Sequence, residues 1–283
     1  KKRHRCKHGF SMRLTSDPIS LLLAQERQQF RKTLGGQLLF WLALGVIIAS
    51  AGVFDFSRYT DMPRTFGALL ADCWPPDFER WRHWLRPLLE TLAMSLAGTA
   101  LATLAALPLG ILAARRLGPV WLSWPARLIL NITRAIPCLV WGIIFVAAVG
   151  FGSLPGALAL AGHSTGMLGK FFAEILEHAD PEPGHALASL GVTPLGVLRF
   201  ALLPQCLPRM LDVVLYRAEH NVREATTVGI VGAGGIGLEI VTAFHLFAYR
   251  EALALLIVLL VLVTFIDQLS SLLRHTLLGA QRA

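Results

Sequence analysis

Residues 216–237 (YRAEHNVREATTVGIVGAGGIG) bring charged, amide and hydroxyl side chains into an otherwise apolar part of the chain. Glu219 and Arg223 are four residues apart, which on a helix is the favourable order for an ion pair. Arg223 also suits an anion, because its planar fork matches phosphorus oxyanions bidentately. The residues alone therefore leave open a structural ion pair or a polar path for a small anion. The side chains that would line such a path are Glu219, Asn221, Arg223, Thr226 and Thr227.

This stretch ends in Gly232, Gly234, Gly235 and Gly237, and the first, second and fourth of these form a GxGxxG pattern. A dinucleotide site needs that pattern between a strand and a helix of a βαβ unit, whereas residues 241–260 here lead into a long apolar helix. We therefore predict close helix packing and irregular backbone near a gate. At membrane depth, such backbone is tolerated only against protein or a cavity.

Other reactive residue types occur without a catalytic pattern. The sequence has no HExxH, no GxSxG and no ATPase phosphate-binding loop. His163, His220 and His245 are isolated, and the four cysteines have no paired spacing. We predict no catalytic residue, no metal site and no cofactor bound by this chain. The cysteines are Cys6, Cys73, Cys138 and Cys206.

The composition indicates an all-α membrane protein as the frame for these residues. Charged residues make up 16% of the 283 positions, well below the 25% or so of soluble domains. A spanning helix needs about 20 apolar residues, so the length allows about six transmembrane helices. The net charge of +8 does not indicate nucleic acid, because its basic residues concentrate in the first 36 positions, which is typical of a cytoplasmic amino terminus.

Hydropathy and charge divide the chain into successive segments. The basic carboxyl end also favours the cytoplasm, so the number of crossings is even, and the least apolar crossing falls between Met210 and Ile240. The segments are a basic cytoplasmic amino-terminal segment at 1–36, a first transmembrane helix at 37–55, a periplasmic or interfacial elbow at 56–86, a helical core at 87–273 with a cytoplasmic loop at 177–208, and a cytoplasmic tail at 274–283.

The cytoplasmic loop carries a family resemblance. Its residues 185–208 (HALASLGVTPLGVLRFALLPQCLP) resemble the EAA loop of ABC importer permeases, whose pattern is Glu-Ala-Ala, three residues, Gly, nine residues, Ile, one residue, Leu-Pro. The register from Gly to Leu-Pro matches, but His185 stands in place of Glu and Ala201 in place of Ile. Such a loop needs a short helix that docks in an ATPase groove, followed by a break. The docking residues would be His185, Ala186, Gly191, Pro194, Leu203 and Pro204.

Two further segments extend the resemblance. Residues 216–237 closely resemble the corresponding segment of phosphonate-type permeases, in which Glu, Asn, Arg and a Thr-Val pair precede a Gly-rich end. Here these residues are Glu219, Asn221, Arg223, Thr227 and Val228. Asn131, Arg134 and Pro137, in NITRAIP, resemble the motif at the entry to a core helix in related importers.

The resemblance implies a type I ABC importer permease fold, with about six transmembrane helices and both termini in the cytoplasm of a bacterial inner membrane. It implies that the chain works in the lipid bilayer as a homodimer, with two copies of a cytoplasmic ATPase that holds ATP and Mg, and with a periplasmic substrate-binding protein. The substrate would be phosphonate or a related phosphorus oxyanion such as phosphite or hypophosphite. No nucleic acid partner is implied.

Two readings from other classes remain open at this point. One is an ATP-independent ion channel or proton-coupled carrier, in which Glu219, His220, Arg223 and Glu224 form a relay. The other is a membrane enzyme of phosphorus metabolism, which the sequence disfavours because no nucleophile, base and orienting group stand at useful spacing.

Overall fold

The computed structural model describes residues 18–50, 52, 60–117 and 120–279, and all regular structure within these ranges is helical. Two helices end in π-helical turns, at Leu198–Leu202 and Gly229–Ala233. The α-helices are α1 Pro18–Ser50, α2 Met62–Cys73, α3 Trp81–Ala113, α4 Val120–Ala135, α5 Cys138–Val149, α6 Ser153–Glu177, α7 Glu182–Ser189, α8 Pro194–Val197, α9 Leu203–Val228, α10 Gly235–His245 and α11 Tyr249–Gly279.

Helix α1 belongs to a first compact unit that ends at Gly67. Its residues 33–50 are apolar over a length that can cross a membrane. The helix begins at Pro18, so it includes the second half of the predicted basic cytoplasmic segment at 1–36 as well as most of the predicted first transmembrane helix at 37–55. Residues 1–17, 51, 53–59, 118–119 and 280–283 lie outside the described residues, and parts of the predicted amino-terminal segment, first transmembrane helix, elbow and tail fall on them.

The second unit, which begins at Ala68, is a bundle with α6 packed against α3, α4, α5 and α9. Helices α3 and α6 approach closely because glycines replace larger side chains at their contacts. A Cβ atom on Gly98 would lie 2.7 Å from Leu160 Cβ, and one on Gly110 would lie 2.8 Å from Phe172 Cβ. Small residues at such contacts drive helix association in membranes, where lipid is as apolar as the side chains.

Two sharp bends shape the bundle. Helices α4 and α5 meet at 89° next to Pro137, whose ring cannot continue α4. The second bend, of 59°, separates α9 and its π-helical turn from α10 at Gly232 to Gly234. Both glycines have positive φ, 98° and 86°, a region that other residues rarely enter.

Within the described residues, three helices are long and apolar enough to cross a membrane, and the number rises to five if each bent pair forms one span. Helices α1, α3 and α11 each do so alone, and the two bent pairs, α4 with α5 and 194–233 with α10, do so as pairs. Helix α6 has 25 residues, hence about 37 Å, but it is less apolar because His163, Lys170 and Glu174 interrupt it. Its role as a sixth crossing stays a prediction.

Candidate functional site

The segment 177–208, predicted to be a cytoplasmic loop, contains two short helices separated by a glycine. Gly191 has φ +80°, its N–H donates to the Ala188 carbonyl at 3.0 Å, and the Val192 N–H donates to the Leu187 carbonyl at 3.2 Å. These two bonds form the Schellman ending typical of a left-handed glycine. Thr193 then caps α8, since its Oγ1 accepts from the Gly196 N–H at 3.3 Å. We call residues 177–208 the coupling loop, after the role that their resemblance to the EAA loop predicts.

Glu177 anchors the beginning of the coupling loop to two other helices. Its Oε1 accepts from Arg127 Nη2 on α4 at 2.6 Å and from the backbone N–H of Arg115, just after α3, at 2.7 Å. Arg116 Nη1 donates to the Glu177 carbonyl at 3.0 Å. Sequence reasoning did not single out these residues, because each pair is about 50 or 60 positions apart.

A cavity of about 500 Å³ lies beneath α7 and α8. His185, the residue in the expected Glu position, lines it, as does Pro194, whereas Ala186 is exposed on α7. Leu203 and Pro204 begin α9. The remaining lining includes Arg116, Leu176, Pro181, Val192 and Leu202.

The inner face of α9 joins three helices through Asn221, which is fully buried. Asn221 Nδ2 donates to Thr99 Oγ1 on α3 at 2.8 Å, and Ser164 Oγ on α6 donates to Asn221 Oδ1 at 3.0 Å. Arg217 Nε donates to the same Ser164 Oγ at 2.9 Å. Asn221 therefore has its side-chain hydrogen bonds satisfied inside the bundle.

Arg223 lies in a separate network between α9 and α11. Its Nη2 donates to both carboxylate oxygens of Asp267 at 2.7 Å and to Glu219 Oε1 at 3.1 Å. Arg274 binds the other oxygen of Glu219 and stands 3.9 Å from Asp212. The ion pair of Glu219 and Arg223 read from their spacing is thus present, but the structure does not bring Arg223 together with Asn221.

A third group of ionisable side chains surrounds Glu224 on α9. Arg217 Nη2 binds Glu224 Oε2 at 2.9 Å, and His220 Nε2 is 3.1 Å from Oε1. His163 on α6 approaches the same Oε1 at 3.9 Å. The predicted path omitted Arg217 and both histidines, although the spacing of four residues between His220 and Glu224 is a signal that could have pointed to them.

The threonines at the end of α9 and the glycines at the start of α10 have different surroundings. Thr226 Oγ1 donates to the Val222 carbonyl at 3.5 Å, and Thr227 is exposed. Gly237 lies against the backbone of α9, where an added Cβ would be 2.0 Å from the Thr226 carbonyl oxygen. Gly235 has φ +70° and faces Thr91, whose Oγ1 accepts from the Ile236 N–H at 2.9 Å.

The residues of the NITRAIP motif lie around the bend between α4 and α5. Asn131 is exposed on α4 and lines a small cavity with Arg127 and Lys170. Arg134 is half-buried in the last turn of α4, and Pro137 precedes the first residue of α5. No group of three or more potential metal ligands occurs among the described residues.

Comparison with known proteins gives relatives along almost the whole chain. It is 43% identical to the phosphite transport system permease protein PtxC of Stutzerimonas stutzeri, over 90% of this chain and 96% of that protein. It is 39% identical to the putative phosphite transport system permease protein HtxC of the same organism, over 78% of each.

The fold also has solved counterparts. It is similar to a chain in the inward-facing structure of the MetNI methionine ABC transporter, with a TM-score of 0.60 and 24% identity over 69% of this chain and 95% of that chain. The bundle is thus the fold of ABC importer permeases. Residues 106–277 match the family model described as binding-protein-dependent transport system inner membrane component. The chain belongs to this family of multi-pass membrane transport subunits.

Proposed function

We propose that this chain is the membrane-spanning permease of an ATP-driven bacterial importer for phosphite or a related phosphorus oxyanion, such as a phosphonate or hypophosphite. The observation that carries the proposal is the 43% identity to a phosphite permease along 96% of that protein's length. A match over 90% of this chain extends across both the coupling loop and the ionisable helices of the core.

The coupling loop supports a separate ATPase as the energy source. Leu190 and Leu195 are exposed beside the break at Gly191, and Phe200 is exposed on the following turn. Apolar side chains on short helices are the anchors of helix-in-groove binding. We assign ATP and Mg to two copies of such an ATPase, docked to a homodimer of this chain. A periplasmic substrate-binding protein would deliver the anion.

Movement of the coupling loop would reach the core through Glu177. Because this carboxylate holds Arg127 on α4 and the backbone after α3, a shift of the loop displaces α3, α4 and α6 together. Packed interfaces switch between discrete arrangements, so a small shift of this kind can be amplified into alternating access. Both termini would lie in the cytoplasm, on the side of the ATPase.

The experiment is uptake into proteoliposomes that contain this chain, its ATPase and its binding protein. We expect labelled phosphite to accumulate only with ATP on the ATPase side, and unlabelled phosphonate or hypophosphite to compete while sulfate does not. ADP in place of ATP is the control. Uptake that is equally fast with ADP would instead support the channel or proton-coupled carrier. A complete lack of uptake of labelled phosphite, phosphonate and hypophosphite would refute the proposed substrate class.

A further inference from the structure

A small cavity between α4 and α6 contains hydrogen-bonding groups that the proposed anion path does not use. It has a volume of about 80 Å³, and Arg127, Asn131, Lys170 and Glu174 line it together with three apolar residues. The Asn131 amide forms no hydrogen bond within the described residues. Lys170 Nζ lies 3.4 Å from Glu174 Oε1, and 45% and 47% of these side chains are exposed, so each keeps capacity for a further partner. The cavity therefore offers both donors and an acceptor to a ligand.

The charges around this cavity are balanced, with two cations and two carboxylates. Arg127 Nη2 donates to Glu177 at 2.6 Å and its Nε donates to the Ala113 carbonyl at 2.8 Å, while Nη1 has no partner within the described residues. Lys170 and Glu174 balance each other. A simple anion would add an uncompensated charge, whereas a zwitterion leaves the sum at zero.

With α6 as a membrane crossing, the cavity lies at the depth of lipid headgroups. Lys170 and Glu174 precede the end of α6 at Glu177 by about 10 Å and 5 Å along the helix. The helix is about 37 Å long, whereas the hydrocarbon core is about 30 Å thick. Trp121 and Trp124 are exposed in the first turns of α4, and tryptophan is enriched at the membrane interface.

Exposed apolar side chains adjoin the polar ones on both helices. On α4, Ile132 follows Asn131 directly and is exposed, as is Leu128. On α6, the exposed Phe171 follows Lys170. A phospholipid presents a charged headgroup and apolar chains side by side in the same way, so one lipid molecule could contact both kinds of surface.

We propose that this cavity binds the headgroup of a zwitterionic phospholipid with a primary ammonium, such as phosphatidylethanolamine. The lipid phosphate accepts hydrogen bonds from Lys170 Nζ, Asn131 Nδ2 and Arg127 Nη1, and the ammonium donates to the Glu174 carboxylate. Because Arg127 also holds Glu177, the bound lipid contacts the anchor of the coupling loop. Binding depends on α6 as a membrane crossing, but not on which anion the transporter carries.

The test is native mass spectrometry of the full chain purified in detergent and titrated with three lipids that have the same acyl chains. Phosphatidylcholine offers the same phosphate but a quaternary ammonium without a hydrogen, and phosphatidylglycerol is an anion. We expect phosphatidylethanolamine to bind at least about fivefold more tightly than either, because hydrogen bonds between charged groups are stronger than neutral ones.

Two double variants locate this preference. Lys170→Gln/Glu174→Gln leaves the net charge unchanged and should lose the preference for phosphatidylethanolamine. Arg86→Gln/Glu90→Gln is the matched control, since it removes another ion pair with a spacing of four residues, on α3 and outside the cavity. This control should keep the wild-type preference.

Single substitutions separate the two ends of the headgroup. Asn131→Ala, at an exposed side chain, should weaken phosphatidylethanolamine and phosphatidylcholine alike by at least about threefold, because both lipids present the phosphate. Glu174→Gln should shift the preference toward phosphatidylglycerol, because Lys170 is left without its balancing charge.

Equal wild-type affinity for the three lipids, as expected if a second copy of this chain covers the cavity, overturns the inference. Tighter binding of phosphatidylglycerol does so as well, and so does displacement of the lipid by inorganic phosphate, which would assign the cavity to a free anion. The inference also fails if Lys170→Gln/Glu174→Gln keeps the preference. Should that variant not fold, the wild-type preference and Asn131→Ala decide by the same criteria. ATP-driven uptake tests the proposed function separately.

Discussion

Arg223 is held by two carboxylates, and this changes what its removal would do. Asp267 contacts it with both oxygens and Glu219 with one, although 41% of the arginine side chain remains exposed. Such an arginine can contact a passing anion only transiently, which suits transport better than tight binding. The same contacts also join α9 to α11, so loss of uptake alone cannot separate a pathway role from a structural one.

We predict that Arg223→Ala abolishes phosphite uptake, and that Arg223→Ala/Asp267→Asn does not restore it. The single variant should also lose about 1 kcal/mol of stability, because Asp267 is left without its cation and Glu219 keeps only Arg274. The double variant should regain much of that loss. Uptake and thermal unfolding in detergent measure the two effects, and full uptake by Arg223→Ala would remove the residue from the pathway.

A second residue-scale prediction concerns Gly237, where α10 begins against α9. An added Cβ would lie 2.0 Å from the Thr226 carbonyl oxygen, so Gly237→Ala forces the backbones apart. Overpacking of this kind destabilises by about 1–3 kcal/mol. Thermal unfolding in detergent should show a lower Tm. Gly67→Ala is the matched control, since a Cβ there meets nothing within 4 Å, and an equal loss in both variants would contradict the packing argument.

At the scale of elements, the coupling loop shows which features of a local structure the spacing of residues predicts. The Gly and Pro signals predicted a break, and the loop has one at Gly191 and a new helix at Pro194. Spacing did not reveal the anchor at Glu177, because Arg127 belongs to another helix. Docking of the ATPase on this loop stays a prediction, which substitutions in the loop can test.

We predict that Gly191→Ala weakens ATPase binding to this chain at least about fivefold, because φ +80° is unfavourable for alanine by about 1–2 kcal/mol. Gly191→Asn is the matched variant: asparagine tolerates the left-handed region, so binding should stay closer to the wild type. Affinity measured with the purified ATPase distinguishes them. Equal weakening by both substitutions would indicate that any side chain at position 191 obstructs the ATPase, and that the backbone conformation is not the cause.

His185→Glu tests the position where the loop departs from the EAA pattern. We expect this substitution to preserve or strengthen ATPase docking, since it restores the expected residue on α7 at the edge of the cavity. Co-purification of the ATPase with the variant measures the effect. Loss of the complex would refute the alignment of residues 185–208 with the EAA loop, while His178→Glu, just outside α7, controls for added negative charge.

At the scale of the whole molecule, apolar length predicted where most of the helices lie but not which faces meet. Asn221 and Arg223 are two residues apart, about 200° around a helix, and this spacing already argues against a shared face. Their partners show that the two side chains face different helices: Asn221 binds Thr99, 122 positions away, and Arg223 binds Asp267, 44 positions away. Periodicity within one segment contains no information about such distant partners, so the approach of His163 on α6 to Glu224 on α9 emerged only from the packed bundle.

The number of membrane crossings depends on whether α6 spans the membrane. If α6 spans the membrane, the α5–α6 turn at Phe151 and the coupling loop at Ala186 lie on opposite sides. We predict that Phe151→Cys is labelled by an impermeant thiol reagent from outside intact cells, whereas Ala186→Cys is labelled only after permeabilisation. Both positions are exposed, so accessibility should depend on the side of the membrane. The four native cysteines are first replaced by alanine, with the resulting chain as control. Labelling of both sites from outside would contradict the crossing by α6 and the cytoplasmic placement of the coupling loop.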